Sequence, residues 1–474
     1  MKAEFVALSA LGCALFGTTF TAIAVAPATP NIVVIVADDL GYADVGFNGC
    51  NDIPTPNIDS LARQGVRFSS GYVSHPFCSP SRAALMTGRY QQRFGHENNP
   101  VLDLKDTTLG LPTNQVTMAQ MLQAAGYQTI AVGKWHLGGA PPFHPNARGF
   151  ADFFGFLAGD HVYFPSKLNR QNPNSLMRNQ ELVAESEYLT DAFSREAVDY
   201  IRKYKAQPFF LYLAYNAVHK PLQATRKYLD RFPGIADERR RNYAAMTSAM
   251  DDGIGRVLQT LREKDLARNT LVFFFSDNGG CRYEISPAHN APLRGYKGDL
   301  FEGGIRVPFV MCWPGHLPAG KVYEDPVCAI DVFPTAAGLA GANVPSDRKM
   351  DGVNLMPFLL GQKSGAPHPR LFWRTGGGIT WAVREGRHKL VQNDPGPPAL
   401  YDLSADLGET KNIAGENTEV VRRMLRQQTE WNAELVPPLW IQAGAVKTDP
   451  APENQGSPQN HPAAAAPSGS RIED

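Results

Sequence analysis

The sequence predicts an α/β fold in which a large mixed, mostly parallel β-sheet is sandwiched by helices and is followed by a smaller C-terminal α+β subdomain. Three observations predict it. Short continuous apolar runs, such as residues 31–36, are typical of strands buried on both faces of a parallel sheet. Helical segments alternate with these runs, as they do in doubly wound sheets. After about Pro357 the pattern changes, and residues 371–390 alternate like an antiparallel sheet.

Local signals mark the helices and strands. The first helix has Thr55 as its N-cap, Pro56 at its first helical position and Gly65 after its end. Residues 117–120 form a capping box that opens a later helix, which ends at Gly126. The predicted helix and strand units are, in chain order, 55–64 with 66–68, 117–126 with 127–132, 190–204 with 209–213, and a longer helix before Arg268 with 271–275.

The sequence divides into four predicted parts. Residues 1–26 contain an apolar run and small residues before residue 27, which is typical of a secretory signal peptide. Residues 27–360 form the main domain, and residues 361–447 form the C-terminal subdomain with its small antiparallel sheet and a closing helix over 418–435. Residues 448–474 have almost no large apolar side chains and are predicted to be disordered.

Composition and charge exclude some partners and locations. The chain of 474 residues has 46 basic and 46 acidic side chains, so its zero net charge predicts no nucleic-acid partner. After the leader no apolar run is long enough to span a bilayer. We therefore expect a secreted or periplasmic protein. Cys13 does not predict a lipoprotein anchor, because the apolar run before it is short and continues past it.

Carboxylates follow two of the predicted strands. Asp38 and Asp39 come directly after the first strand, and Asp277 and Asn278 follow the strand over 271–275. Adjacent carboxylates repel each other, and a cation is the natural way to keep both ionised. One Asp could instead cap a turn while the other is solvated. Oxygen donors of this kind suit Ca²⁺ or Mg²⁺ rather than zinc, so the sequence predicts a site for a hard cation.

Cys78 lies in a longer motif. A lone cysteine usually fills space in a core, but residues 78–82 read Cys-Ser-Pro-Ser-Arg and residues 85–89 read Leu-Met-Thr-Gly-Arg. This pattern resembles the signature of the type I sulfatases of the alkaline phosphatase superfamily. The resemblance covers about residues 30–401, since the blocks around Asp38, Lys134, His219, Asp277 and Lys297 follow in the family's chain order.

The resemblance implies a fold, a modification and a set of roles. The fold is alkaline phosphatase-like, and Cys78 is oxidised by a formylglycine-generating or other sulfatase-maturing enzyme. One Ca²⁺ per chain, in preference to Mg²⁺, is bound by Asp38, Asp39, Asp277 and Asn278 with the modified residue 78. The family's catalytic positions match Cys78, Arg82, Lys134, His136, His219 and Lys297.

The implied mechanism divides those roles. One hydroxyl of the hydrated formylglycine attacks sulfur, and the second later expels sulfate by regenerating the aldehyde. Arg82 favours the deprotonated nucleophile, Lys134 and His136 manage the second hydroxyl, and His219 with Lys297 assists departure of the alcohol. Lys134 and His136 are two residues apart, a spacing that places both on one face of an extended segment. A helix that begins at Cys78 would favour an anionic centre there.

Several other residues are given secondary or structural roles. Asp251 and Asp252 are consecutive in a helix and cannot easily share one ion, so we assign them a structural role. Glu302 and Arg306 are expected to hold the loop around Lys297, and Lys220 is expected to be a loop lysine. The candidate substrate contacts at the mouth of the site, of which we expect only one or two to act, are His75, His96, His144, His161 and His289.

The predicted function is hydrolysis of sulfate monoesters on a sulfated carbohydrate, with galactose or N-acetylgalactosamine sulfate units such as those of carrageenan as the favoured substrate. Alternatives within the superfamily are an aryl sulfatase and a phosphomonoester or phosphonate hydrolase, because sulfate and phosphate are nearly isosteric. An alternative of another class is a non-catalytic protein that binds sulfated glycans. Five cysteines remain after the leader, an odd number that is consistent with a chemical role for Cys78.

Overall fold

The computed structural model describes residues 29–165, 174–393 and 396–441; the predicted signal peptide (1–26) and tail (448–474) lie outside the described residues. The strands are β1 (Asn31–Ala37), β2 (Val66–Phe68), β3 (Gly71–Tyr72), β4 (Gln128–Lys134), β5 (Asp152–Phe156), β6 (Met177–Arg178), β7 (Glu181–Leu182), β8 (Phe209–Ala214), β9 (Thr270–Ser276), β10 (Phe309–Cys312), β11 (Lys321–Tyr323), β12 (Val327–Cys328), β13 (Arg370–Thr375), β14 (Thr380–Glu385), β15 (His388–Gln392) and β16 (Ala399–Asp402). The α-helices are α1 (Pro56–Gln64), α2 (Cys78–Thr87), α3 (Met118–Ala124), α4 (Leu189–Tyr204), α5 (Arg226–Leu229), α6 (Glu238–Glu263), α7 (Glu302–Ile305), α8 (Val332–Ala340), α9 (Met356–Leu359) and α10 (Thr418–Asn432).

The main sheet has ten strands in the order β11-β2-β10-β9-β1-β8-β4-β5-β6-β7. Strands β9, β1, β8, β4 and β5 are mutually parallel, and antiparallel pairs flank them on both sides. Strand β1 is central and lies between β8 and β9, so the carboxyl ends of these strands meet at one edge. This is the edge at which ligands bind in open α/β sheets.

Helices cover both faces of this sheet. Alternate residues of β1 point to opposite faces: Val33 and Ile35 belong to one buried cluster, whereas Ile32 and Val34 belong to the other. The first cluster includes apolar side chains of α1, α4 and α6, and the second includes those of α2, α3 and α8. Burial on both faces explains why these strands read as continuous apolar runs, and the predicted fold class is confirmed.

The C-terminal part contains a four-stranded antiparallel sheet in the order β13-β14-β15-β16. Met424 of α10 packs in a buried cluster with Trp381, Val383, Leu390 and Leu400 of this sheet. The sequence pattern predicted both the alternation and the closing helix. The helix ends at Asn432, three residues earlier than predicted.

Two further findings concern the described residues. No helix among them is long and apolar enough to cross a membrane. The five cysteines that follow the predicted leader are all described by the structure. All five are free thiols, and no two of them form a disulfide.

Candidate active site

Four acidic and amide side chains meet where β1 and β9 end. Asp38 and Asp39 follow β1, and Asp277 and Asn278 follow the neighbouring β9. The backbone N–H of Asp39 donates to Oδ1 of Asp277 at 3.3 Å, and Nδ2 of Asn278 donates to Oδ1 of Asp39 at 2.7 Å. All four side chains are buried. The structure therefore brings together the four predicted cation ligands.

Cys78 is the first residue of α2 and faces this group. Its Sγ atom lies 3.5 Å from Oδ1 of Asp38 and 4.0 Å from Oδ1 of Asp39, and Nζ of Lys297 lies 3.2 Å away. Burial raises the pKa of the thiol to about 12, although Lys134 and Lys297 oppose this effect. An unmodified Cys78 is therefore a neutral thiol at pH 7 and a poor nucleophile.

Three cationic side chains neutralise the carboxylates. Nζ of Lys134 lies 2.6 Å from Oδ2 of Asp38, and Nζ of Lys297 lies 2.6 Å from Oδ1 of Asp39. Nε and Nη2 of Arg82 donate to Oδ2 of Asp277 at 2.9 and 2.7 Å. The site thus holds three positive charges in fixed positions before any substrate arrives, each beside one of the three carboxylates.

The pKa values of the carboxylates differ. Burial raises the pKa of Asp39, but the charges of Lys297 and His219 outweigh it and hold the pKa well below its usual range. Burial likewise raises the pKa of Asp38, but nearby positive charges, of which Lys134 has the largest effect, outweigh it and lower the pKa below its usual value. Burial and the charge of Asp38 raise the pKa of Asp277 despite Arg82. Three carboxylates so close together repel one another, and a divalent cation would relieve that repulsion.

The residues present fit a hard cation. Oδ1 of Asn278 is buried and accepts no hydrogen bond from any described residue, so an oxygen donor is free beside the carboxylates. Asp38, Asp39, Cys78 and His219 also form a buried group whose ligand atoms lie within 4.8 Å of one another. Asp38, Asp39, Asp277 and Asn278 offer oxygen ligands, as Ca²⁺ and Mg²⁺ require, whereas Cys78 and His219 offer sulfur and nitrogen.

His219 reaches the site from the end of β8. Its Nε2 atom lies 3.6 Å from Oδ2 of Asp39, and its Nδ1 atom lies 2.7 Å from the carbonyl oxygen of Lys220. Because a carbonyl only accepts, Nδ1 carries a proton, and Nε2 is the nitrogen that faces the site. The Lys220 side chain is exposed, as predicted for a loop lysine.

The spacing argument for Lys134 and His136 is wrong. Strand β4 ends at Lys134, and His136 has φ of 58°, in the left-handed region, so the segment is not extended. Asp39 has φ of 61°. Residues other than glycine rarely adopt this backbone conformation, and those that do cluster at functional sites. Burial and the charge of Lys134 hold the pKa of His136 well below its usual value, so its ring is neutral at pH 7.

The structure shows contacts that the sequence analysis missed. The thiol of Cys281 lies 3.1 Å from Oδ2 of Asp39. Oγ of Ser79 donates to the carbonyl oxygen of His136 at 2.5 Å and lies 2.6 Å from Nε2 of His96. Cys281 follows the predicted ligand block by three residues, which is the only sequence signal that could have indicated it. Nothing in the sequence indicated that Ser79 supports the backbone of His136.

Most of the five candidate histidines are buried. His75, His96, His144 and His161 are buried, and only His289 of the five candidates is exposed. Only one or two of the five are expected to act, and His289 is the one of them that solvent reaches. His96 instead packs against Trp440, with ring centroids 4.8 Å apart.

The residues given structural roles have structural contacts. Oδ1 of Asp251 accepts from the backbone N–H of Ile58 at 2.8 Å at the start of α1, and Asp252 pairs with Arg231. Glu302 contacts Arg306 at 3.1 Å and Lys389 of β15 at 2.8 Å. The C-terminal sheet therefore braces the segment that follows Lys297.

The sulfatase family profile matches residues 30–342. This chain belongs to the sulfatase family. The profile of the N-sulphoglucosamine sulphohydrolase C-terminal region matches residues 296–434 of this sulfatase. The N-acetylgalactosamine-6-sulfatase of Sus scrofa is 36% identical over 387 residues, covering 77% of this chain and 72% of that protein. The human N-acetylgalactosamine-6-sulfatase is likewise 36% identical, over 77% of this chain and 72% of its own length.

Solved structures similar to this chain include other sulfatases and a carbohydrate complex. The crystal structure of Ps i-CgsB in complex with k-i-k-neocarrahexaose is 41% identical, with a TM-score of 0.82, and covers 87% of this sulfatase and 94% of that chain. The PsFucS1 sulfatase from Pseudoalteromonas sp. is 26% identical, with a TM-score of 0.75, over 86% of this sulfatase and 90% of that chain. The protein is therefore a sulfuric ester hydrolase with an alkaline phosphatase-like fold.

Proposed function

We propose that this sulfatase removes sulfate from a sulfated carbohydrate, with galactose or N-acetylgalactosamine sulfate units such as those of carrageenan as its substrate. The observation that carries the proposal is the position of Cys78 at the start of α2, 3.5 Å from Asp38 and 3.2 Å from Lys297. Two relatives support the sugar: a sulfatase named for N-acetylgalactosamine 6-sulfate and a structure that holds a neocarrahexaose.

The proposed cofactors are formylglycine at position 78 and one Ca²⁺, in preference to Mg²⁺. Asp38, Asp39, Asp277 and Asn278 would hold the cation together with residue 78. When present, the hydrated formylglycine supplies a nucleophilic hydroxyl, and the cation supplies positive charge for the sulfate oxygens. The unpartnered Oδ1 of Asn278 and the depressed pKa of Asp39 support this assignment.

The proposed roles of the side chains follow from their charge and position. Burial lowers the pKa of Lys297, but Asp39 and Cys78 outweigh it and raise the pKa well above its usual value, so this ammonium stays charged. Asp38 has the same effect on Lys134. Both would bind sulfate oxygens, while Arg82 holds Asp277.

Proton transfer is assigned to the two histidines. Nε2 of His219 faces the site while Nδ1–H donates to the carbonyl oxygen of Lys220, so the imidazolium form of His219, with a proton on both nitrogens, would donate its Nε2 proton to the departing alcohol oxygen and leave the neutral ring with its proton on Nδ1. The neutral ring of His136 would accept a proton from residue 78 when sulfate is released, and Lys134 would orient the same group.

Export and domain division belong to the same proposal. Residues 1–26 would act as a signal peptide, and the mature protein would work in the periplasm or outside the cell. Residues 27–360 would form the catalytic domain and residues 361–447 the C-terminal subdomain. A sulfatase-maturing enzyme would act on the chain before its substrate does.

The test is peptide mass analysis of the segment around Cys78 after expression with a maturation enzyme, run beside a screen for sulfate release. The expected result is an aldehyde at position 78 and sulfate release from a sulfated galactan or N-acetylgalactosamine oligosaccharide. A faster rate on an aryl phosphate than on an aryl sulfate would contradict the sulfate assignment. A thiol that persists beside a competent maturation enzyme would favour a protein that binds sulfated glycans without cleaving them.

A further inference from the structure

Two chain segments form one side of the mouth of the site. The backbone N–H of Lys297 donates to the carbonyl oxygen of Gly280 at 3.0 Å. The next residue on one segment, Cys281, and Lys297 on the other both contact Asp39. Arg282 and Tyr296 are their immediate neighbours in the chain. Both are exposed to solvent, and each is one residue away from a side chain of the reaction centre.

Arg282 and Tyr296 form an exposed pair. The Arg282 guanidinium carbon lies 6.0 Å from the centroid of the Tyr296 ring, at the limit of a cation–π contact. The Arg282 side chain is 63% exposed, and Tyr296 is 38% exposed. Within the described ranges the guanidinium makes no hydrogen bond, and its one ion-pair partner, Asp299, lies 4.0 Å away. Most of its N–H donors are therefore available to a ligand.

The backbone under the pair is held in place. The carbonyl oxygen of Arg282 accepts from the N–H groups of Ile285 and Ser286, both at 2.9 Å. The N–H of Tyr296 donates to Oδ2 of Asp299 at 2.9 Å. A rim that is ordered before binding loses less entropy when a ligand arrives. The pair is thus a prepared surface rather than a loose loop.

The chemistry of the pair defines its ligand. A guanidinium presents a planar fork of donors that matches the oxygens of a sulfate or a carboxylate. The exposed ring beside it offers an apolar face with a polar tip, which suits the face of a sugar. The protein has no net charge to attract a polyanion from a distance, so preference for an anionic chain must arise from local groups such as this one.

On the basis of the proposed function, we infer that Arg282 and Tyr296 form a subsite for the sugar unit next to the one that carries the reacting sulfate, with Arg282 binding a second anionic group, a sulfate or a carboxylate, on that unit. The chosen sulfate ester reacts in the buried centre, while the neighbouring unit rests on Tyr296. The enzyme would then prefer glycans in which adjacent units are both charged.

The test compares four probes: an aryl sulfate, a galactose oligosaccharide with one sulfated unit, the same oligosaccharide with sulfates on two adjacent units, and one with a uronic acid beside the sulfated unit. The variants are Arg282→Ala, Arg282→Lys, Tyr296→Ala and Tyr296→Phe. The matched control is Arg239→Ala, because Arg239 is also exposed and lies 5.9 Å from a tyrosine ring, that of Tyr283, but is not next to a residue that contacts Asp39.

The expected result is a fall of about tenfold in the ratio of kcat/KM for the doubly to the singly charged oligosaccharide in Arg282→Ala, mainly through KM, as for loss of a hydrogen bond to a charged group. Arg282→Lys should retain part of the ratio, and Arg239→Ala should retain all of it. Tyr296→Ala should lower kcat/KM for the singly and the doubly sulfated oligosaccharides relative to the aryl sulfate, and Tyr296→Phe should not. Preference for the uronic acid probe would identify the anion as a carboxylate, and preference for the disulfated probe would identify it as a sulfate.

Two results would overturn the inference while leaving the proposed function intact. One is an unchanged ratio in Arg282→Ala, and the other is an equal loss on all four probes, which indicates structural damage. A wild-type enzyme that cleaves the aryl sulfate but none of the oligosaccharides would instead reject the glycan substrate, and the subsite with it.

Discussion

The Nζ atom of Lys297 lies 2.6 Å from Oδ1 of Asp39 and 3.2 Å from Sγ of Cys78, so one ammonium group joins a proposed cation ligand to the proposed nucleophile position. The Lys297 side chain is 13% exposed, which leaves it a narrow access to substrate. A charge held at this point can stabilise the negative charge that develops on sulfate and on the leaving oxygen.

We expect Lys297→Ala to lower kcat for an aryl sulfate by about 10²- to 10³-fold, the scale for loss of one preorganised donor. Lys220→Ala is the matched control, because Lys220 is an exposed lysine beside His219. The measurement is steady-state kinetics on enzyme with equal formylglycine content, established by peptide mass. A Lys297→Ala enzyme within threefold of the wild type would remove Lys297 from the mechanism.

The pair of Arg82 and Asp277 predicts a large effect on stability. Both side chains are buried, and the two are joined by bonds of 2.9 and 2.7 Å. Arg82→Ala would leave the Asp277 carboxyl group buried without its cation, and we expect the free energy of unfolding to fall by about 3–5 kcal/mol. Urea denaturation in excess chelator measures this without a contribution from bound metal.

The control for Arg82 is Arg231→Ala, which breaks the partly exposed pair with Asp252 at 2.7 Å. Solvent screens that pair, so its loss should cost less than about 1 kcal/mol. Equal losses in the two variants would mean that burial does not amplify the Arg82 pair.

Much of the fold could be predicted because its signals are local. The capping box of Thr117 and Gln120 is present as read, and β1 is buried on both faces as its continuous apolar run indicated. The positions of the acidic motifs directly after predicted strands also indicated that these side chains would meet, since strands β1 and β9 end side by side. Periodicity and capping depend on neighbours in the chain, so the sequence carries them directly.

Other features depend on how distant segments meet. The contact of Cys281 with Asp39 requires the chain to fold back so that Lys297 pairs with Gly280, and no periodicity encodes that turn. His136 follows a strand and was expected to continue it, but it adopts a left-handed conformation supported by Ser79. Burial of His75 likewise results from tertiary packing, which single-residue preferences do not report.

Cys281 should support the cation site. Its thiol lies 3.1 Å from Oδ2 of Asp39 and helps to orient that carboxylate. Groups that orient metal ligands typically contribute about 10- to 100-fold in metal affinity. We expect Cys281→Ala to weaken Ca²⁺ binding by about tenfold and Cys281→Ser, which keeps a donor, to recover most of it.

Calorimetric titration of metal-free enzyme with Ca²⁺ measures this affinity. Cys312→Ala is the control, because Cys312 is also a buried free thiol but lies in β10 within the apolar core. Loss of affinity in both alanine variants would point to general damage. An unaffected Cys281→Ala enzyme would show that Asp39 needs no support from the thiol.

His75 should make the fold sensitive to acid. Burial, with smaller effects of the charges of His96 and Arg374, lowers the pKa of His75 to about 3. Between about pH 6.5 and 3 the unfolded chain binds a proton at this position and the folded protein does not, so stability falls as the pH falls, by about 1.4 kcal/mol per pH unit.

Neither ring nitrogen of His75 has a hydrogen-bond partner in the described part of the chain. We therefore expect His75→Phe to fold at pH 7 and to lose less stability on acidification. The measurement is the free energy of unfolding of both proteins in urea from pH 7 to pH 4. Parallel curves would show that this ring titrates in the folded protein as it does in the unfolded chain.

His368 should have the opposite dependence. Burial lowers its pKa, but Asp331, 2.7 Å from Nε2, outweighs this effect and raises the pKa above its usual value. A raised pKa in the folded state contributes stability that is full below about pH 6.5 and is lost as the pH rises through the folded-state pKa. His368→Gln should remove this contribution, so its deficit relative to wild type should be larger at pH 5.5 than at pH 9. Because Asp331 also accepts from the backbone N–H groups of Cys328 and Val353, the carboxylate keeps partners in the variant, and the deficit reports the histidine charge. A deficit that is constant with pH would mean that His368 contributes through packing and hydrogen bonding alone.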